Sequence, residues 1–424
     1  MKNKKIYAIL SDIRGSGHFM KEKLKCGLLG EKLGHSYSKQ IHACLADYEY
    51  ELYAVSRERA AEMIKGGELD GLNVTIPYKE LAYSLCDELC DFAKAAKSVN
   101  TVVHRQGKIY GANTDVFGFI SMVEHAGISF RGKSVIILGS GGTSKTARIA
   151  AKTMGAEKIR VVSRSGEINY DNVYSLTDTE IIVNTTPVGM YPNNGNAPVD
   201  LSRFPLCEGV VDVIYNPTKT KLILDAERLG IPCVSGLRML AAQAKRAAEI
   251  FLDKSLPDSL IDVAEKNVFS TVSNIILIGM PGSGKSTVAK LVAKTLGRTL
   301  VDTDEVIRDR FGAPSEIITS QGEDEFRRLE TEVIAELGKE SGLVISTGGG
   351  IVEREENYSH LTQNGRIFLI ERKLSRLARD DRPLSTDVSA LYERRREKYN
   401  RFADVKIDNN LSPEKAAESI ISLF

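Results

Sequence analysis

Cysteine, net charge and long apolar runs are all scarce in this chain. Six cysteines among 424 residues fall without paired metal-ligand spacing. Cys86 and Cys90 stand too isolated for a zinc half-site, and the set is expected to be buried, reduced thiols, as in a cytoplasmic protein. The formal net charge is +1, so nothing points to nucleic acid or an anionic membrane as partner. No apolar run approaches the ~18 residues that cross a bilayer. The basic start (Met1, Lys2, Asn3, Lys4, Lys5) leads into an apolar stretch of only residues 6–10 before Asp12 and Arg14, too short for a signal-peptide core. The expectation is a soluble, cytoplasmic protein without membrane contact; an oligomer is possible but not indicated.

Hydrophobic residues make up 42% of the chain and charged residues 27%, enough to bury real cores. At roughly 100–200 residues per domain, the length predicts about two to four domains. Short apolar, often β-branched runs recur at Ser134–Leu138, Lys158–Val162, Ile181–Asn184, 210–214, Asn274–Ile278, Val344–Ser346 and 366–370. Most are followed at once by Gly, Ser or Thr and alternate with amphipathic stretches, the pattern of buried parallel strands in an α/β fold. Two glycine-rich turns, at Gly139 and Gly279, each follow such a run and open a helix. Their patterns differ, so they read as two nucleotide sites on separate domains. The polar stretch 253–273 separates the halves; Pro257 is expected to break a helix there, and the boundary is expected near 268–272.

In the first half, Gly139, Ser140, Gly141 and Gly142 precede a helix expected from Thr143. Such glycines permit a tight turn and let the backbone approach a pyrophosphate at the helix N-terminus, although the same turn also closes ordinary strand–helix connections. The next strand ends in Arg164, where an NAD enzyme would carry an acid; an Arg there can pair with a 2′-phosphate and favour NADP. Three polar clusters lie upstream: Ser36 with Ser38; Asn73, Thr75 and Lys79; and Asn100 with Thr101, followed by Asn113, Thr114 and Asp115. Hydroxyls, amides, one Lys and one Asp suit a small polyhydroxylated acid.

Together these clusters resemble the shikimate dehydrogenase family over about residues 24–265. Its Ser-x-Ser, Asn-Val-Thr-x-Pro-x-Lys, Val-Asn-Thr and Asn-Thr-Asp motifs are present, as are its later Asn-Thr-Thr-Pro-Val-Gly-Met run from Asn184, Tyr215-Asn216-Pro217 and Gln243. The resemblance implies that Lys79 and Asp115 form the catalytic pair. It implies that Ser36, Ser38, Thr75, Asn100, Tyr215 and Gln243 hold the substrate, and that Val213 and Gly236 lie near the nicotinamide. The chemistry agrees: proton transfer at the hydroxyl must accompany hydride transfer, and a Lys positioned by a carboxylate can carry it. The family's basic cluster after the second strand is reduced here to Ser163-Arg164-Ser165.

In the second half, Gly279-Met280-Pro281-Gly282-Ser283-Gly284-Lys285-Ser286 is a complete Walker A motif, with Thr287 beside it. Its backbone N–H groups cradle phosphate, Lys285 reaches the β/γ-phosphates and Ser286 ligates Mg²⁺. Asp302 and Asp304 follow a further strand-like run and share a face if the strand continues; one can serve Mg²⁺, the other a substrate hydroxyl. Arg327 and Glu330 share a helix face, where a surface ion pair is the plainer reading. Gly348, Gly349 and Gly350 end another strand. Arg382 lies in an arginine-rich stretch suited to a lid closing over phosphate.

This half resembles shikimate kinase over about residues 273–424. The resemblance implies that Asp302 serves Mg²⁺, directly or through water, and that Asp304 contacts the substrate hydroxyls. It implies that Arg327 and Arg395 bind the carboxylate, that Gly349 and Gly350 pack beside the ring, and that Arg382 stabilises the transferring phosphoryl group. The choice of Arg395 over Arg394 and Arg396 rests on its spacing to Tyr399. The expected fold is α/β throughout: an N-terminal α/β substrate domain (1–115, completed by about 236–268), a Rossmann-like NADP domain (116–235) and a P-loop kinase domain with a parallel sheet (273–424). The expected function is reduction of 3-dehydroshikimate with NADPH, then phosphorylation of shikimate with ATP and Mg²⁺. One alternative is a quinate/shikimate dehydrogenase joined to another small-acid kinase; Ser38 argues against quinate, whose extra hydroxyl needs room. Another is that one half is a catalytically dead module, against which Lys79, Asp115, Lys285, Asp302 and Asp304 all stand.

Overall fold

The computed structural model describes residues 23–34, 36–377 and 388–424. Among these residues the strands form three sheets. The first contains β1 (Lys25–Gly30), β2 (Glu49–Ala54), β3 (Gly71–Val74), β4 (Glu88–Leu89), β5 (Thr101–Arg105) and β6 (Lys108–Ala112) in the order β2-β1-β3-β5-β6-β4. β1 runs parallel to β2 and β3, whereas β5 is antiparallel to both β3 and β6.

The second sheet contains β7 (Ser134–Leu138), β8 (Lys158–Val162), β9 (Ile181–Asn184), β10 (Gly209–Asp212) and β11 (Cys233–Val234) in the order β11-β10-β9-β7-β8, all parallel. The third contains β12 (Asn274–Ile278), β13 (Leu300–Asp302), β14 (Val344–Ser346), β15 (Gly365–Glu371) and β16 (Val405–Asp408) in the order β13-β14-β12-β15-β16, also all parallel. Every residue of β7, β9 and β12 is buried. Helices cover both faces of such strands, which is why they read as unbroken apolar runs. The edge strands β8 and β16 are half-exposed and correspondingly mixed in sequence.

These topologies place the two glycine turns. The chain leaves β7 to one side for β8 and then returns to β9 on the other side. From β12 it leaves toward β13 and returns to β15 on the opposite flank. Both Gly139 and Gly279 therefore sit at the carboxyl end of a strand where strand order reverses, the crevice in which open α/β sheets bind ligands.

The chain divides into two compact units: 1–186 with 198–213 and 229–268, and 187–197 with 214–228 and 269–424. Segments 187–197 and 214–228, assigned from sequence to the Rossmann-like domain, thus group with the C-terminal unit. Local bonds explain this: Thr218 N donates to Asn364 Oδ1 at 3.2 Å and Thr218 Oγ1 to the Gln363 carbonyl at 3.0 Å. Pro257 lies between the helices Leu237–Leu252 and Ser259–Val272. The expected boundary at 268–272 falls in the last turns of the second of these, where the division into units also changes, between 268 and 269. Small boundary shifts also occur: the strand expected at 210–214 spans Gly209–Asp212, that at 366–370 spans Gly365–Glu371, and the helix after the first glycine turn begins at Gly142. Among the described residues all six cysteines are free, but only Cys26 and Cys44 are fully buried. No helix among them is long and apolar enough to cross a membrane.

Candidate active sites

In the N-terminal unit, Lys79 opens the helix Lys79–Leu85 and Asp115 opens the helix Asp115–His125. A carboxylate in a first helical turn is favoured by the helix dipole. Lys79 Nζ donates to Asp115 Oδ2 at 2.7 Å, and the two side chains are 28% and 18% exposed. The other carboxylate oxygen accepts from Asn100 Nδ2 at 2.8 Å. Asn100 is held at both ends of its amide: Nδ2 also donates to Thr114 Oγ1 at 3.0 Å, and Oδ1 accepts the Thr114 backbone N–H at 2.8 Å. Gln243 Oε1 accepts from Asn100 at 3.5 Å and from Thr114 Oγ1 at 3.4 Å. Gly118 permits this reach, because a Cβ there would lie 2.6 Å from the Met239 carbonyl and 2.9 Å from Gln243 Cβ. Bare backbone lets the two helices cross closely.

Ser36 Oγ donates to Ser38 Oγ at 3.1 Å, and Ser38 lies near enough to the Tyr50 phenol to oppose the upward push that burial gives it. Thr75 follows β3 and donates its backbone N–H to Leu29 O at 2.9 Å. These bonds bring Lys79, Asn100, Asp115 and Gln243 into one cluster. Tyr215 lies in the 214–228 segment, which groups with the C-terminal unit.

The turn after β7 meets the requirements of a dinucleotide. Gly139 has φ +103°, and a Cβ there would meet Thr185 Oγ1 at 2.9 Å, so the fold itself demands glycine. Gly141 and Gly142 are different: a Cβ on either would meet nothing within 4 Å. No protein atom requires glycine at these two exposed positions. They leave bare backbone at the head of the helix Gly142–Thr153, as close approach by a pyrophosphate needs. Ser140 is exposed beside them, and Thr143 is half-buried in the first turn. Arg164 is exposed beyond β8, near enough to Tyr170 to oppose the upward push that burial gives that phenol. Val213 N donates to the Asn184 carbonyl at 3.1 Å, and Gly236 is the N-cap of Leu237–Leu252.

In the C-terminal unit, β12 runs into the Walker loop, where Gly279, Gly282 and Gly284 all have positive φ. Lys285, buried at the start of Lys285–Leu296, donates Nζ to the carbonyls of Gly279 and Met280 at 3.0 and 3.1 Å. Thr287 is exposed one residue beyond Ser286. Ser286 Oγ donates to Asp302 Oδ2 at 3.0 Å and lies 3.2 Å from Ser346 Oγ. These oxygens suit Mg²⁺, which is commonly held by one or two protein oxygens plus phosphate and water. Among the described residues no cluster of three or more His, Cys, Asp or Glu could hold a metal by itself.

Asp302 and Asp304 do not continue a strand. β13 ends at Asp302, whose Oδ1 accepts the Asp304 N–H at 3.1 Å and caps the helix Thr303–Phe311. Asp304 Oδ1 and Glu330 Oε1 both flank Gly348, at 2.8 and 2.6 Å from where its Cβ would stand. Arg327 is buried, not at the surface: it donates to Glu330 at 2.8 Å and to Glu323 at 3.1 Å. A Cβ on Gly350 would collide with its guanidinium, and one on Gly349 would lie 2.8 Å from Pro281. Burial pushes the Glu330 carboxyl upward, and Arg327 opposes that push. Arg395, also buried, donates Nε to Glu353 at 2.6 Å and Nη1 to Gly349 O at 3.1 Å. Burial alone would raise the Glu353 carboxyl, but Lys398 and Arg395 outweigh it and hold it at about 2. Of the candidate arginines, Arg394 is exposed and Arg395 faces the glycines. Arg382 and His35 lie outside the described residues.

The sequence reading missed several supports. Ser346 completes the hydroxyl–carboxylate group beside Ser286. Asn409 Nδ2 donates to Ser283 O at 2.8 Å and occupies the space a Cβ on Gly284 would need. Glu353 gathers three cations. Each is remote in sequence from the motif it serves, so no local spacing announces it.

Comparison with known proteins finds relatives for both halves of the chain. Residues 28–102 match the family model for the shikimate dehydrogenase substrate binding domain, and residues 281–424 match that for shikimate kinase. A shikimate dehydrogenase (NADP(+)) of Clostridium perfringens is 35% identical over 261 residues, covering 56% of this chain and 96% of the relative. A chorismate mutase/shikimate 5-dehydrogenase fusion protein from Clostridium acetobutylicum has a solved structure 33% identical, with a TM-score of 0.55, covering 58% of this chain and 98% of that one. Shikimate 5-dehydrogenase from Thermus thermophilus, solved with NADP(H) and shikimate, is 26% identical with a TM-score of 0.52, covering 57% of this chain and 98% of that one. The chain belongs to the shikimate dehydrogenase family, and behind that dehydrogenase the same polypeptide carries a shikimate kinase domain.

Proposed function

We propose that this chain catalyses two consecutive reactions: reduction of 3-dehydroshikimate to shikimate with NADPH, and phosphorylation of shikimate to shikimate 3-phosphate with ATP. The observation carrying the proposal is that both chemistries have their reactive groups assembled on one chain: Lys79 bonded to Asp115 at 2.7 Å, and Lys285 within a full phosphate loop. The product of the first reaction is the substrate of the second.

In the first reaction NADPH supplies the hydride. The glycine turn 139–142 with Thr143 would hold its pyrophosphate, Arg164 its 2′-phosphate, and Val213 and Gly236 would border the nicotinamide. Lys79 gives a proton to the ketone oxygen as the carbon receives hydride, and takes it back in reverse. Asp115 aims the Lys79 ammonium, and Asn100 with Gln243 fixes Asp115. Ser36, Ser38, Thr75 and Tyr215 would hold the carboxylate and remaining hydroxyls.

In the second reaction ATP supplies the phosphoryl group and Mg²⁺ offsets its charge. Gly282, Ser283, Gly284, Lys285 and Thr287 would wrap the phosphates, with Ser286 and Asp302 toward the metal. Asp304 accepts the proton of the attacking hydroxyl. Arg327 and Arg395 would hold the carboxylate against Gly349 and Gly350, and Arg382 would neutralise charge on the moving phosphoryl group. We assign residues 1–115 with 236–268, 116–235 and 273–424 as substrate, NADP and kinase domains, segments 187–197 and 214–228 being grouped with the last by contact.

A coupled assay tests the proposal. Dehydroshikimate, NADPH and ATP together should give matched NADPH loss and ADP release. NADPH loss without ADP release would reject the kinase half. Faster turnover of quinate than of shikimate would reject the substrate assignment.

A further inference from the structure

Tyr50 lies on β2, away from every motif that defines the hydride-transfer site, yet its hydroxyl stands in the middle of that site's bonding. In-register pairing puts Tyr50 opposite Cys26, Cys26 opposite Gly71, and Leu28 opposite Asn73. Alternation along the strands places Tyr50 and Asn73 on the same face of the sheet with β1 between them. Two strand spacings amount to about 9–10 Å, a gap that a phenol spans and a serine or threonine does not. The Tyr50 hydroxyl donates to Asn73 Oδ1 at 2.8 Å. Its ring is fixed by stacking on His42, with centroids 3.9 Å apart and planes 11° from parallel. His42 is bonded in turn to Tyr48 at 2.5 Å.

From Tyr50 the bonding runs in both directions. Toward the surface, Ser36 donates to Ser38, and Ser38 stands near enough to the phenol to oppose the upward push that burial gives it. Toward the reacting pair, Asn73 Nδ2 donates to the Asn100 carbonyl and to Thr101 Oγ1, both at 3.2 Å. Thr101 Oγ1 donates to Asn100 Oδ1 at 3.1 Å, and Asn100 Nδ2 to Asp115 at 2.8 Å. From Tyr50 onward every donor points the same way, ending on the carboxylate that holds Lys79. Bonds aligned in series polarise one another.

We propose that Tyr50 is a positioning residue that couples the Ser36–Ser38 anchor to the Asp115–Lys79 pair, so that a substrate oxygen on the serines is registered at the proton-transfer group. This rests on the dehydrogenase reading above. A carboxylate on Ser38 draws the Ser38 proton to itself and leaves the Ser38 oxygen as an acceptor beside the phenol. The phenol then turns its own proton toward Ser38, and Asn73 loses one of its donors. Anchor occupancy and the placement of Asn100 are linked through that one hydroxyl.

The test uses the full chain and Tyr50→Phe, which keeps the ring on His42 and removes only the hydroxyl. KM for shikimate should rise about threefold to tenfold, the usual effect of one lost hydrogen bond, and kcat for its oxidation should fall with it. KM for NADP should stay within about twofold of wild type. Combined with Ser38→Ala, the two changes should be less than multiplicative, because they cut one line. Asn73→Ala, which cuts the next link, should give the same split between the two Michaelis constants. A thermal melt and kinase turnover of each variant report folding independently. Tyr50→Phe kinetics unchanged in both KM values and kcat would overturn the inference, as would equal losses for shikimate and NADP or fully multiplicative effects with Ser38→Ala. Should Tyr50→Phe fail to fold, Asn73→Ala decides by the same criteria. A wild-type chain unable to oxidise shikimate would overturn the dehydrogenase reading itself, a result distinguishable from an unsplit variant of an active enzyme.

Discussion

The two sites treat charge in opposite ways. At the proposed hydride-transfer site the charged groups Lys79 and Asp115 are partly open to solvent and are held by neutral amides and hydroxyls: Asn100, Thr114 and Gln243. At the phosphoryl-transfer site the charges are sunk into the protein and matched against one another. Arg327 with Glu330 is 8% and 0% exposed, and Arg395 with Glu353 is 3% and 16% exposed. The difference fits the work proposed for each site. A group that gives up a proton in each cycle must regain one from water. Cations that grip a carboxylate need only stay in place, and buried partners keep them there. Losing one member of a buried pair strands the other without solvent, so the second site should tie function to stability more tightly than the first.

The largest expected effects break the comparison into its halves. Lys79→Ala should lower dehydrogenase kcat by about 10²–10⁴-fold and leave kinase turnover unchanged. Lys285→Ala should do the reverse, by about 10²–10³-fold. Assays of both activities on each variant check this, and loss of both from either change would show that the sites are not independent. Next comes Arg327→Ala, which should cost about 3–5 kcal/mol in denaturant unfolding of the C-terminal unit and weaken shikimate more than ATP. Lys79→Ala, removing a part-exposed pair, should shift stability by no more than about 1 kcal/mol. Equal destabilisation by the two would erase the contrast between the sites.

Smaller effects sharpen it. Arg164→Ala should raise KM for NADP about tenfold to a hundredfold with KM for NAD untouched; an unchanged NADP-to-NAD ratio would remove Arg164 from the cofactor site. The smallest concerns acid. The Glu353 carboxyl is held at about 2 against an ordinary 4.5. A lowered folded-state value gives stability that is whole above the unfolded value and fades as pH falls toward the folded one. The C-terminal unit should therefore weaken as pH drops from about 4.5 toward about 2, and Glu353→Gln should flatten that slope in melts across the same window. A parallel slope in wild type and variant would place the acid sensitivity elsewhere.

Much of this molecule is written locally. Central strands β7, β9 and β12 are buried on both faces, so apolar composition alone marks them, to the residue. The glycine turns are legible because backbone must come bare to phosphate, and only glycine leaves it so. Some signals were present and outweighed: Asp302, followed by Asp304 and Glu305, is a helix start, but strand alternation suggested both acids on one extended face. The sequence by itself thus determined where glycine turns open helices after buried strands and which reactive side chains the chain carries, since those depend on short-range backbone geometry and on the chemistry of single side chains. Only the tertiary structure decided what holds them. Tyr50 reaches Asn73 across an intervening strand, Glu353 meets Arg395 from more than a helix away, and Gln243 arrives because Gly118 lets two helices touch. Such partners are fixed by packing between segments distant in the chain, and no local spacing encodes that distance.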